Sequence, residues 1–273
     1  ANNFGGPESG SVATLRSQTL ASSNCAYLRL GLTVGLSNVA ETTEALGVTT
    51  DLSDLPISMP LGPKDITPLE MATAYATFAN DGLQVDPIFI ERVEDSDGTV
   101  LFENTPAPER AISVQSARLV NQVLEANVRG GTGTRARLEN QVAAGKTGTA
   151  QDFSDAWFVG YTPHLATAVW MGNPDEQIPM TGVDRGAMGR GNVFGGSLPA
   201  MIWGALNTTY HAGLEPLTFE APEWTRAGTR IRTDQEEDDY RELIESFCGV
   251  DNEDAEIDTD EDGVVDYCDP EKT

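Results

Sequence analysis

Between Ala144 and Gly172 three strand-like segments follow one another, and that run limits the fold more than anything else in the chain. Ala144-Gly145-Lys146-Thr147-Gly148-Thr149-Ala150 comes first, then Asp155-Ala156-Trp157-Phe158-Val159-Gly160-Tyr161. A turn at Thr162-Pro163-His164 leads into Leu165-Ala166-Thr167-Ala168-Val169-Trp170-Met171-Gly172. Their aromatic and β-branched content suits a sheet packed against helices, with Trp157 and Trp170 expected in the core. The expected arrangement is an antiparallel sheet that begins at the first segment.

Helical patterns surround this run. Val12 to Leu36 has helical spacing with a break around Ser22-Ser23-Asn24, and Cys25 lies in an apolar stretch where a buried thiol is expected. Thr67-Pro68-Leu69-Glu70 combines a Thr N-cap, Pro at the first helical position and Glu at the third. That helix should stop at Asn80-Asp81-Gly82 and pack through Leu69, Ala72, Ala76 and Ala79. Pro87 to Phe102 reads as a hairpin turning at Asp95-Ser96-Asp97-Gly98. A helix is expected from Ser116 to Val128, ended by the Gly130–Thr134 run, and another from Leu198. Residues 1–10 and the Gly-rich stretch 182–196 read as irregular. Helices on an antiparallel sheet make an α+β domain over residues 1–210, with a linker at 211–232 and a separate tail at 233–273.

The first strand carries the chemistry. One cation, Lys146, stands among glycines and hydroxyls, as a groove for an anionic ligand requires: the amine supplies charge, Gly148 permits close approach, and Thr147 and Thr149 offer hydroxyls. A nucleotide P-loop is excluded by spacing. It needs glycine five residues before Gly145, where Asn140 stands, and a buried strand where Arg135-Ala136-Arg137-Leu138-Glu139 is polar.

Charge separates body from tail. The 273 residues carry a formal charge of −26, of which Asp234 to Thr273 holds −16. Neither part offers the basic face a nucleic-acid binder needs. No apolar run of about 18 residues is present. With His164 and His211 the only histidines, a histidine triad or zinc site is not expected.

In their order and spacing, these segments resemble the C-terminal part of a penicillin-binding protein transpeptidase domain of the bifunctional, class A kind from an actinobacterium-like source. That superfamily shares Ser-x-x-Lys, Ser-x-Asn and Lys-Thr-Gly motifs. Lys146-Thr147-Gly148 matches the third and Ser22-Ser23-Asn24 the second. Thr67–Ala72, Ala79–Gly82, Asp155–Pro163 and Gly195–Ala200 are family-like as well, and the likeness covers residues 1–206. It implies a β-lactamase/transpeptidase-like fold, present here as a partial domain. The reaction it implies is serine acyl transfer from D-Ala-D-Ala stem peptides of peptidoglycan, trapped by β-lactams. Ser22 would relay protons to the Lys146 ammonium, and Asn24 would bond the substrate amide. Thr147 and Thr149 would hold the terminal carboxylate beside Gly148, and the Thr149 N–H would be an oxyanion-hole donor. No cofactor is implied for catalysis.

The Ser-x-x-Lys motif is absent. The lysines are Lys64, Lys146 and Lys272, and three positions before them stand Leu61, Ala143 and Asp269. The family places that motif upstream of Ser-x-Asn, so the expectation is a chain truncated at its N-terminus and inactive by itself. A glycosyltransferase domain and membrane anchor would lie upstream, on an extracytoplasmic, membrane-anchored protein. Two other functions fit the same residues: a non-catalytic muropeptide-binding pseudoenzyme, or a calcium-dependent surface adhesion protein.

The adhesion reading comes from the tail. Asp258, Asp260, Asp262, Asp266 and Asp269 occupy positions 1, 3, 5, 9 and 12 of a loop with Gly263 at 6 and the Val264 carbonyl at 7. That is calcium-loop spacing, with Asp in place of the usual closing Glu. The flanking cysteines make it resemble a thrombospondin type-3 calcium repeat. That resemblance suggests pairing of Cys248 with Cys268 in an oxidising compartment.

Overall fold

The computed structural model describes residues 13–223 and the backbone of two short strands, β1 (Asn2–Asn3) and β2 (Gly6–Pro7), which pair antiparallel within the stretch expected to be irregular. The segment expected to bind calcium (258–269), together with Cys248 and Cys268, lies outside the described residues. Three helices come first: α1 (Leu15–Ala21), α2 (Asn24–Val34) and α3 (Leu36–Ala45). The break between the first two uses consecutive serines differently. Ser22 closes α1 in the left-handed conformation (φ 56°, ψ 47°), and Ser23 opens α2, its hydroxyl accepting from the Ala26 N–H at 3.2 Å. Gly35, at φ 88°, makes the next corner. Leu32, Leu36, Ala40, Val48, Leu52, Met59 and Ala74 form one core beneath these helices. Cys25 is half-buried rather than enclosed.

Helix α4 (Pro68–Ala79) begins as the sequence predicts. The Thr67 hydroxyl accepts from the Glu70 N–H and the Glu70 carboxylate accepts from the Thr67 N–H, a complete capping box. Its buried face is Thr73, Ala74 and Thr77, whereas Leu69 at the head of the expected stripe is exposed. An arm then leaves the body. Strands β3 (Leu83–Gln84), β4 (Arg92–Glu94), β5 (Val100–Glu103) and β6 (Glu109–Arg110) make two nested ladders, with the turn where Gly98 takes φ +80°. Helix α5 (Val114–Gly130) returns the chain, two residues longer at each end than its apolar spacing suggests.

The expected sheet is β7 (Ala144–Thr149), β8 (Ala156–Tyr161) and β9 (Ala166–Met171), antiparallel in that order with β7 at an edge. Helix α6 (Leu198–Tyr210) follows a loop that holds a further small pair, β10 (Val183–Asp184) and β11 (Arg190–Gly191). Side chains alternate across a pleated strand. Phe158 therefore leaves one face and meets Trp203 of α6, while Tyr161 leaves the other and meets Tyr75 of α4. Helices cover both faces, so the fold is α+β as expected. The tryptophans are sorted differently from the expectation. Trp203 is fully buried, its Nε1 donating to Thr167 O at 3.0 Å, but Trp157 and Trp170 are half-buried against each other, with Trp170 Nε1 bonded to Asp155. Among the described residues no helix is long and apolar enough to cross a membrane.

The segment expected as a linker is fastened to the body over residues 215–223. The Glu215 carbonyl meets His164 Nε2, and Gln141 bonds both backbone groups of Leu217, donating at 2.8 Å and accepting at 3.0 Å. Phe219 lies edge-on against Tyr161 with ring centroids 5.4 Å apart. Arg118 donates to the Ala221 carbonyl and the Glu223 N–H donates to Gln115. These bonds make a strap that crosses α5.

Candidate active site

Successive side chains of β7 leave opposite faces of the sheet. Lys146 turns toward the end of α1, and its Nζ donates to Ser22 Oγ at 2.6 Å and to the Thr147 carbonyl at 3.0 Å. The left-handed turn at Ser22 costs on the order of 1 kcal/mol for a residue with a Cβ, and it delivers the hydroxyl to this ammonium across 124 positions of sequence. No carboxylate lies within ion-pair distance of Lys146 among the described residues. Burial alone pulls its pKa from 10.5 down to about 8. A desolvated ammonium with neutral partners attracts any anion that reaches it, and a pKa near working pH suits it to exchange a proton with Ser22.

Thr147 and Thr149 leave the other face. Thr147 Oγ1 donates to Thr132 Oγ1 at 2.7 Å, and Thr149 Oγ1 accepts from the Gly195 N–H at 3.1 Å. Glycine is needed at 195, because a Cβ there would strike the carbonyls of Trp157 and Gly148. Gly148 itself lies against Trp157, its hypothetical Cβ 3.2 Å from that side chain. Asn24 is the first residue of α2, immediately after the Ser23 cap. The structure thus brings Ser22, Lys146, Thr147, Gly148 and Thr149 to one edge of the sheet, with Asn24 at the adjoining helix end.

Three contributors escaped the sequence reading. Thr132 stands in the glycine run read only as a helix stop, and Asn127 lies inside the helix expected from Ser116 to Val128 with nothing local to set it apart. Gly195 was noticed only as part of a family-like stretch. The glycines were the available signal: side chains at Gly131 and Gly196 would meet Asn127 Oδ1 and the Thr132 carbonyl, so that loop is pressed against the site.

Comparison with known proteins places the chain in a family. The penicillin binding protein transpeptidase domain family matches residues 2–177. Penicillin-binding protein 1A of Aquifex aeolicus (strain VF5) is 39% identical over 170 residues, 62% of this chain and 23% of that protein. Penicillin-binding protein 1B of Vibrio cholerae is 32% identical over 213 residues, 77% of this chain and 27% of that protein. Among solved structures, the PonA1 protein from Mycobacterium tuberculosis in complex with penicillin V superposes with a TM-score of 0.74. Its identity is 27%, over 85% of this chain and 65% of that one. The chain belongs to the penicillin-binding protein transpeptidase domain family. It spans about a quarter of the length of the curated relatives it matches.

Proposed function

We propose that this chain supplies the substrate-receiving walls of a serine-type D-Ala-D-Ala transpeptidase that cross-links peptidoglycan stem peptides on the outer side of the cell membrane. The observation that carries the reading is the Lys146 ammonium, held 2.6 Å from Ser22 Oγ with no counter-ion among the described residues. In this reading a stem peptide lies along β7, its terminal carboxylate beside Thr147 and Thr149 and its amide near Asn24. Ser22 passes protons between Lys146 and the reacting centre, and the Thr149 N–H faces the developing oxyanion. β-Lactams enter as mimics of the donor. The attacking serine is not among these 273 residues, since no lysine follows a serine by three positions.

A direct test uses two ligands. Fluorescent penicillin should leave no covalent label on the chain, and a hydroxylamine-sensitive adduct would overturn the absence of a nucleophile. Acetyl-D-alanyl-D-alanine should bind non-covalently, shifting the amide resonances of β7, and Lys146→Ala should abolish the shifts. A parent chain that shows none would sink the groove reading.

The missing Ser-x-x-Lys also favours a second reading, a muropeptide-binding module that keeps the groove without catalysis. The coding sequence upstream of Ala1 separates the two, because a Ser-x-x-Lys there belongs only to the enzyme. For residues 258–269 the carboxylate spacing supports calcium binding in the tail. Calorimetry should show calcium-dependent heat that Asp262→Ala diminishes, and no heat from the parent chain would end that proposal.

A further inference from the structure

Asn127 is fully buried in α5, and both ends of its amide are engaged. Its Nδ2 donates to Gly145 O at 2.8 Å, and its Oδ1 accepts from the Thr132 N–H at 3.1 Å. Those partners fix which end is oxygen, since a backbone N–H only donates and a backbone carbonyl only accepts. The Thr132 hydroxyl also donates to that oxygen, at 3.2 Å. With its proton so placed, Thr132 Oγ1 can only accept from Thr147 at 2.7 Å. In the free protein Thr147 therefore turns lone pairs, not its proton, toward the solvent side of β7. An incoming carboxylate needs the proton.

The relay can run the other way. When the Thr132 hydroxyl turns from Asn127, Oδ1 still keeps the Thr132 N–H, so reversal gives up one neutral hydrogen bond and gains a charge-assisted one. We propose that Thr132 is a positioning residue of this site: a carboxylate at β7 draws the Thr147 proton outward, and Thr132 swings its own proton from Asn127 to Thr147 behind it. Two O–H rotors turn, and no covalent bond is made or broken. Asn127 anchors the device to the strand through Gly145. The inference rests on β7 receiving a carboxylate, as proposed above.

The test is made on the full chain with Thr132→Val and Thr132→Ser. Three-bond NMR couplings of Thr147 report its χ1 rotamer without any ligand, and titration with acetyl-D-alanyl-D-alanine reports affinity. Thr132 is exposed, so both variants should melt with the parent. The valine variant should spread Thr147 over several rotamers and weaken the dipeptide about tenfold, while the serine variant keeps both near the parent values. Two results overturn the proposal: a single Thr147 rotamer retained in the valine variant, or a spread rotamer with unchanged affinity. If the parent binds no dipeptide, the carboxylate reading falls and the relay reversal falls with it. The couplings then show separately whether Thr132 holds Thr147 in place.

Discussion

Taking an ammonium out of water costs several kcal/mol unless a carboxylate meets it, and among the described residues the partners of Lys146 are the Ser22 hydroxyl and a backbone carbonyl. The cost is legible in its titration. The folded-state pKa of about 8 lies below the usual 10.5, so between those values the unfolded chain binds more protons than the folded one. Stability therefore rises with pH through that window, and below pH 8 the full penalty persists. Lys146→Met should stabilise the fold at pH 7 by roughly 1–3 kcal/mol, with most of the advantage gone by pH 10. Denaturant unfolding of both proteins at the two pH values measures this, and a variant less stable than the parent at pH 7 would contradict it. Lys146 stands out in the sequence because a cation between glycines and hydroxyls is rare, whereas Ser22 is marked only by the Ser-x-Asn motif of the family the chain resembles. Asn127 has no such mark, because a buried side chain that bonds two backbone groups occupies the same helical spacing as one that merely packs.

At the scale of an element, α4 shows where local chemistry speaks clearly and where it falls silent. Its start was legible, since Thr67, Pro68 and Glu70 each act within one turn. Its buried face was not. Thr73 and Thr77 go inside because each hydroxyl donates to the carbonyl four residues earlier, so a pattern of apolar residues passes over them. Glu70 does more than cap: its carboxylate also accepts from the N–H and hydroxyl groups of Thr49 and Thr50, tying the helix to a loop twenty positions back. Burial opposes its ionisation, but the hydrogen bonds from Thr67 and Thr49 outweigh burial and hold its pKa well below the carboxylate range. Stability from this group is present above its unfolded value near 4.5 and is lost as pH falls toward the depressed folded value. Glu70→Gln should cost about 1–2 kcal/mol at neutral pH. It should also flatten the acid limb of the stability curve, which thermal melts from pH 7 to pH 3 would follow. Equal acid sensitivity in both proteins would exclude this role.

Across the whole molecule, the antiparallel sheet with helices on both faces follows from three strand-like segments in succession and from the helical patterns around them. What escaped was closure. Pro216 and Pro222 make residues 215–223 read as a linker, yet their backbone is held by Gln141, His164, Arg118 and Gln115. Such bonds come from side chains up to 108 positions away, and no local pattern announces them. The strap gives synthesis a direction. A ribosome makes Tyr75, Phe78 and Tyr161 long before Phe219, the ring that lies against Tyr161. Until Glu223 has left the exit tunnel the nascent body carries an uncovered aromatic face, and during that interval chaperones have most to guard.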